Sequence, residues 1–95
     1  MTERPGYPCP CCGYRTLPGP SPTDDICSIC FWQDDFVDNQ DTDILGPNHV
    51  RLSIARENYA RYGAHEERWL PNVRPPRPDE GPPEPWTERR HKDEL

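Results

Sequence analysis

Two Cys-x-x-Cys pairs, Cys9-Pro10-Cys11-Cys12-Gly13 and Cys27-Ser28-Ile29-Cys30, constrain what this chain can fold into more than anything else in it. Thiolates supply the soft donor atoms and the negative charge a divalent cation needs. A two-residue spacer lets the backbone turn back so that both sulfurs of a pair reach one ion. The full spacing is C-x2-C-x14-C-x2-C, one residue shorter in the middle than the usual range of about 15 to 20, a difference that a loop absorbs. Cys9, Cys12, Cys27 and Cys30 are therefore expected to hold one Zn2+. Four protein ligands leave no open position for water, so the site is expected to hold the fold and not to activate a substrate.

The rest of the chain needs such a cross-link. With 14 prolines and 32% hydrophobic residues in 95, it cannot build a large core, and small chains of this kind lean on metals or disulfides. No signal peptide or membrane-length apolar stretch is visible, so a cytoplasmic location is expected, where paired cysteines read as metal ligands and not disulfides. The terminal Lys92-Asp93-Glu94-Leu95 spells a retention signal of the secretory lumen; without a route into that lumen it is read as coincidence.

Around the cysteines, residues 7 to 17 read as a first metal-binding turn leaving as a short strand at Tyr14 to Leu17. Pro18 to Thr23 reads as a loop, and residues 25 to 33 as a second turn leaving on Phe31-Trp32. Leu52, Ala55, Tyr59 and Tyr62 fall on one helical face and predict a helix over about 50 to 62. Asn48 is its expected N-cap, Gly63 its C-terminal cap, and Glu57 and Arg61 an ion pair one turn apart. The helix is expected to pack on Tyr14, Leu17, Phe31 and Trp32. The predicted fold is thus a small metal-stabilised α+β domain: a zinc-ribbon-like pair of knuckles with short strands and one packed helix. In this division residues 1–6 are a flexible N-terminus, 7–70 the domain, and 71–95 a mostly disordered Pro-rich tail.

Charge points to the class of partner. The formal charge is −6, and Asp24, Asp25, Asp34, Asp35, Asp38, Asp41 and Asp43 occur in a stretch without Lys or Arg. Such a surface repels phosphate backbones and suits a protein with a basic surface. Phe31, Trp32, Asp34, Asp35, Asp38, Asp41 and Asp43 are the candidate partner-binding residues. A calcium loop starting at Asp41 fails, because Leu45 and Leu52 stand where oxygen ligands are required. Trp69 and Trp86 are partner anchors or local packing. His49, His65 and His91 share no ligand spacing and are expected at the surface, and no catalytic constellation is present. The expectation is a non-enzymatic, monomeric protein-interaction or regulatory module without a membrane role. The alternatives are a nucleic-acid-binding ribbon using Arg51, Arg56, Arg61 and Arg68, and a thiol redox protein using Cys11. That cysteine is otherwise a substitute ligand or a free thiol beside the metal.

Tyr7-Pro8-Cys9-Pro10-Cys11-Cys12-Gly13-Tyr14, Asp25-Ile26-Cys27-Ser28-Ile29-Cys30-Phe31-Trp32-Gln33-Asp34-Asp35, Gly46-Pro47-Asn48 and Ala55-Arg56-Glu57-Asn58-Tyr59 together resemble the bacterial cysteine-rich CPCC family, over about residues 7 to 75. The resemblance implies a small cytosolic metal-binding protein with Cys9, Cys12, Cys27 and Cys30 as ligands. It marks Trp32, Asp34, Asp35, Asn48 and Asn58 as parts of the shared pattern. Gln33 stands where the family has Glu, and the Pro-rich tail after residue 75 is particular to this chain.

Overall fold

The two cysteine pairs build the same turn twice. In the computed structural model, which describes residues 6–86, the Gly13 amide donates to the Cys9 carbonyl and the Cys9 amide to the Tyr14 carbonyl, both at 2.9 Å. In the second turn Phe31 donates to Cys27 at 2.8 Å and Cys27 to Trp32 at 2.9 Å. The residue after the second cysteine must adopt a left-handed backbone in both, with φ of 85° at Gly13 and 71° at Phe31. Glycine does this freely, whereas a bulky residue there costs roughly 1–3 kcal/mol. Phe31 is held by stacking on Trp69, with ring centroids 4.8 Å apart.

The strands that frame these turns are minimal. β1 (Tyr7–Pro8) pairs antiparallel with β2 (Arg15–Leu17), with Tyr7 opposite Leu17, Pro8 opposite Arg15 and an irregularity between. The second turn has one bridge, Ile26 to Gln33, in place of the aromatic strand expected at Phe31-Trp32. The left-handed backbone of Phe31 interrupts that extended run, and pairing resumes only through Asp24 and Asp25 with Asp34.

Helix α1 spans Leu52–Tyr62 and ends at Gly63, whose φ of 98° and hydrogen bond to the Tyr59 carbonyl make the expected left-handed cap. Its start differs from the sequence expectation. Arg51 is the N-cap and its side chain makes no capping bond; the carboxylate of Asp41, from the preceding loop, accepts the Ser53 amide at 2.9 Å instead. Asn48 is drawn into the interior to bond Gln33 and Asp38. Leu52 and Ala55 are buried, Tyr59 sits edge-on to Tyr14, and Tyr62 is exposed at the rim.

The face of α1 covers sulfur. The core cluster comprises Cys9, Cys11, Cys12, Cys27, Ile29, Cys30, Trp32, Leu52 and Ala55, so five of its nine members are cysteines. A core of this composition depends on what neutralises those thiols.

Packing continues past residue 70, where a loose tail was expected to begin. Short 3-10 turns occupy Glu67–Asn72 and Pro78–Glu80. The Arg74 amide donates to the Ser28 carbonyl, Arg74 grips Glu80 through both carboxylate oxygens at 2.9 and 2.6 Å, and the Glu84 amide donates to the Gly13 carbonyl. Residues 71–86 have few apolar groups, and polar and aromatic-cation contacts hold them instead, a kind of anchoring that a hydropathy pattern does not register. Residues 1–5 of the expected N-terminal segment and residues 87–95, with His91 and Lys92-Asp93-Glu94-Leu95, lie outside the described residues.

Candidate metal centre

The two turns face each other and bring one Sγ from each of Cys9, Cys12, Cys27 and Cys30 within 4.8 Å of all the others. Two edges of this cluster are already short: Cys9 to Cys30 is 3.6 Å and Cys12 to Cys27 is 3.7 Å. Four sulfurs at about 2.3 Å from a tetrahedral zinc lie roughly 3.8 Å from one another, so the cage matches a metal–thiolate shell with small movements of its longer edges. All four side chains are buried. Backbone amides of Cys11 and Ile29 point at the sulfurs of Cys9 and Cys27, each at 3.4 Å, and the Thr16 hydroxyl donates to the Cys27 sulfur at 3.1 Å. Donors of this kind stabilise thiolate charge.

The electrostatics of the cage call for a cation. Burial pushes the Cys12 and Cys30 thiols well above the ordinary range. Cys27 is held far below it by hydrogen bonds from Cys12, Cys30 and Cys9, with Thr16 adding to them. Without a cation, thiolates packed this closely repel one another, so each ionised sulfur opposes ionisation of its neighbours. A divalent ion at the centre removes that repulsion and lets all four ionise, which is the form in which thiols ligate metals.

Cys11 lies inside the first turn but outside the cluster of four. It is fully buried, and burial raises its thiol despite a hydrogen bond with Cys30. Its side chain fills core volume under α1.

The acidic and aromatic residues proposed from sequence as a partner surface divide in two. Trp32, Asp34 and Asp38 are interior, not surface. The Trp32 indole N–H donates to Asn39 Oδ1 at 3.0 Å. The Asp34 carboxylate accepts from the Ser21 hydroxyl, the Thr23 amide and Asn39 Nδ2 at 2.5, 2.7 and 2.7 Å. Asp38 accepts from the Gly46 amide at 2.6 Å and from both the amide and Nδ2 of Asn48 at 2.9 and 2.7 Å. These carboxylates tie the loops on either side of the second turn to it; buried and saturated, they offer nothing to a partner. Phe31, Asp35 and Asp41 are half-buried and Asp43 is exposed. Asp41 is partly occupied as well: although its burial acts to raise its pKa, hydrogen bonds from Ser53 and the Arg51 charge bring it below the usual carboxylate value.

Sequence reasoning missed the burial of His65 and the exposure of four apolar side chains between residues 36 and 45. His65, expected at the surface, is buried with its ring edge-on to Trp32. Its amide donates to the Cys30 carbonyl at 2.8 Å, and Nδ1 lies 3.1 Å from the same oxygen, which fixes the tautomer with hydrogen on Nδ1. Burial lowers its pKa. The side chain therefore buttresses the second cysteine turn from outside. Phe36, Val37, Ile44 and Leu45 are exposed, Phe36 at 64% and Ile44 at 71%. Their signal was present in the sequence as apolar residues dispersed among aspartates.

The chain matches the cysteine-rich CPCC family over residues 7–80 and belongs to it. No curated protein and no solved structure matches.

Proposed function

We propose that this CPCC-family chain is a non-catalytic module that holds one structural Zn2+ on Cys9, Cys12, Cys27 and Cys30 and uses the folded surface to bind another protein. The observation that carries the reading is the buried cage of four thiols within 4.8 Å of one another, at the centre of a core built mostly of cysteine. With four protein ligands the ion has no vacant position for substrate. The two turns then act as the knuckles of a zinc-ribbon-like site, and the metal contributes folding energy directly. Reduced thiols suit a bacterial cytoplasm.

The partner surface in this reading comprises the exposed Phe36, Val37, Ile44 and Leu45, with Asp35, Asp41 and Asp43 in the same stretch of sequence. Exposed apolar side chains interspersed with aspartates suit a protein with a basic rim and apolar anchors. Binding nucleic acid fits less well: Arg51 faces Asp41 and Asp43, Arg56 donates to the Pro10 carbonyl, Arg68 pairs with Glu66, and Arg61 lies over Tyr62. A redox role for Cys11 is disfavoured by its burial and raised thiol.

Metal analysis and chelation test the first part. Purified protein is expected to carry close to one equivalent of zinc, and a strong chelator to abolish its near-UV circular dichroism until zinc is restored. Less than about half an equivalent, with a fold indifferent to chelation, would end the reading. For the second part, a partner recovered with the native chain is expected to be lost on Phe36→Ser with Ile44→Ser, a pair of exposed changes that leaves the fold in place. Undiminished recovery would rule out this surface.

A further inference from the structure

We infer that Gly13, Tyr14, Arg15 and Arg56 form an acceptor groove for a proline-rich peptide of a partner protein, and that the chain's own residues Gly81-Pro82-Pro83-Glu84-Pro85-Trp86 occupy it in the free protein. The groove lies over the first cysteine turn, on residues that the proposed docking surface does not use.

Recognition there is directed at the backbone and at ring faces. The Glu84 amide donates to the Gly13 carbonyl at 2.9 Å. Arg15 Nη2 donates to the Gly81 carbonyl at 2.6 Å and Nη1 reaches the Pro82 carbonyl at 3.5 Å. The approach is so close that a Cβ on Gly13 would stand 2.5 Å from the Glu84 oxygen and 2.8 Å from its nitrogen. Glycine at position 13 thus serves the groove as well as the turn. Gly81 lies against the Tyr14 ring, where a Cβ would meet Tyr14 Cε1 at 3.3 Å. At the far end the Arg56 guanidinium, steadied by its bond to the Pro10 carbonyl, sits over the Trp86 ring at 5.2 Å from its centroid.

This set of groups fits proline-rich peptides in particular. Such peptides present carbonyls that are not bonded internally, lose little conformational entropy on docking and lie well against aromatic rings. Arg15 and Tyr14 supply the donor and the ring, and Arg56 supplies a cation for an aromatic anchor.

Two further observations mark residues 81–86 as a replaceable occupant. The family match covers residues 7–80, so it includes all four groove residues and stops short of the segment seated on them. The Trp86 indole N–H is buried with no acceptor among the described residues, so the internal ligand docks with one donor unsatisfied, and a peptide whose anchor ring carries no such unpaired donor fits better. The tether compensates by presenting the segment at high effective concentration.

The test uses the full chain and a fluorescent peptide with the sequence of residues 80–87. The Trp86→Ala chain, its internal anchor removed, is expected to bind this peptide at least tenfold more tightly than the native chain. Adding Arg56→Ala to that variant, or replacing the peptide's Trp with Ala, is expected to cost at least tenfold. Equal binding by the native and Trp86→Ala chains, or no loss with Arg56→Ala, would overturn the proposal. Amide chemical shifts of the native chain provide a readout that does not depend on a variant folding. Excess peptide is expected to move Gly13, Tyr14 and Arg15, and shifts confined elsewhere would refute the groove. Concentration-dependent dimers of the native chain showing the same shifts would assign the groove to a second copy and overturn the partner reading.

Discussion

Asp38 separates a structural carboxylate from a binding one. The residue is 2% exposed in a run of aspartates that reads as a surface. Oδ1 accepts the Gly46 amide, and Oδ2 accepts the amide and Nδ2 of Asn48. Asn48 in turn bonds both the amide and the carbonyl of Gln33, so Asp38 fastens the loop over 41–48 to the second cysteine turn. Asp38→Ala strands three donors, each worth about 1–3 kcal/mol if it stays dry. Water reaches the Gly46 end as the loop loosens, so the expected loss is about 3 kcal/mol, toward the low end of that sum. For a domain of this size 1 kcal/mol moves Tm by roughly 4–8 °C, giving a fall of about 12–24 °C. Asp38→Asn is not expected to rescue stability, because either orientation of the amide sets its NH2 group against at least one of the same donors. The control is Asp43→Ala: that side chain is 95% exposed, and the change should stay within about 0.5 kcal/mol. Calorimetry at fixed excess zinc compares the variants. If Asp38→Ala costs under about 1 kcal/mol, or no more than Asp43→Ala, the buried-staple reading is wrong.

Gly13→Ala must adopt a φ of 85° and meet the Glu84 backbone at 2.5 Å; it is expected to destabilise by about 2 kcal/mol or more in urea titrations, against at most a few tenths for a change at the open Gly19. Cys12→Ser should lower the metal content of purified protein severalfold while Cys11→Ser keeps it, as measured by atomic emission; equal losses would place Cys11 among the ligands. His65 gives a pH signature. Its pKa is lowered in the folded chain, so the unfolded chain takes up the proton first, and stability is full above about 6.5 and declines as pH falls toward the folded value. The native chain should therefore lose stability between pH 7.5 and about 5.5 by more than His65→Gln does, and parallel pH profiles would contradict this.

The parts of the fold that were legible in the sequence rest on local rules. Cys9, Cys12, Cys27 and Cys30 could be grouped because a chelate turn fixes its own spacing, and Gly13 and Gly63 because a left-handed backbone selects glycine. The end of α1 followed, while its start did not: the group that caps Ser53 is Asp41, twelve residues away. Which aspartates are interior was likewise hidden. Asp34 and Asp38 are buried because amides of Thr23, Gly46 and Asn48 converge on them, and that convergence depends on the path of the chain. The resemblance had marked Trp32, Asp34 and Asn48 as shared, and their interior hydrogen bonds now give that a physical reason. His65 carried no sequence signal, because its partner is a backbone carbonyl. Residues 71–86 read as loose because proline and charge usually signal disorder; a paired Glu80 and an Arg56-covered Trp86 outweigh that tendency here.

X-ray absorption at the zinc edge of the protein as purified examines the thiol cage itself. The expected spectrum has four sulfur scatterers at about 2.3 Å and no nitrogen or oxygen in the first shell, with one zinc per chain. A nitrogen or oxygen scatterer in place of any sulfur, or a folded protein with no bound metal, would contradict a closed site built from Cys9, Cys12, Cys27 and Cys30.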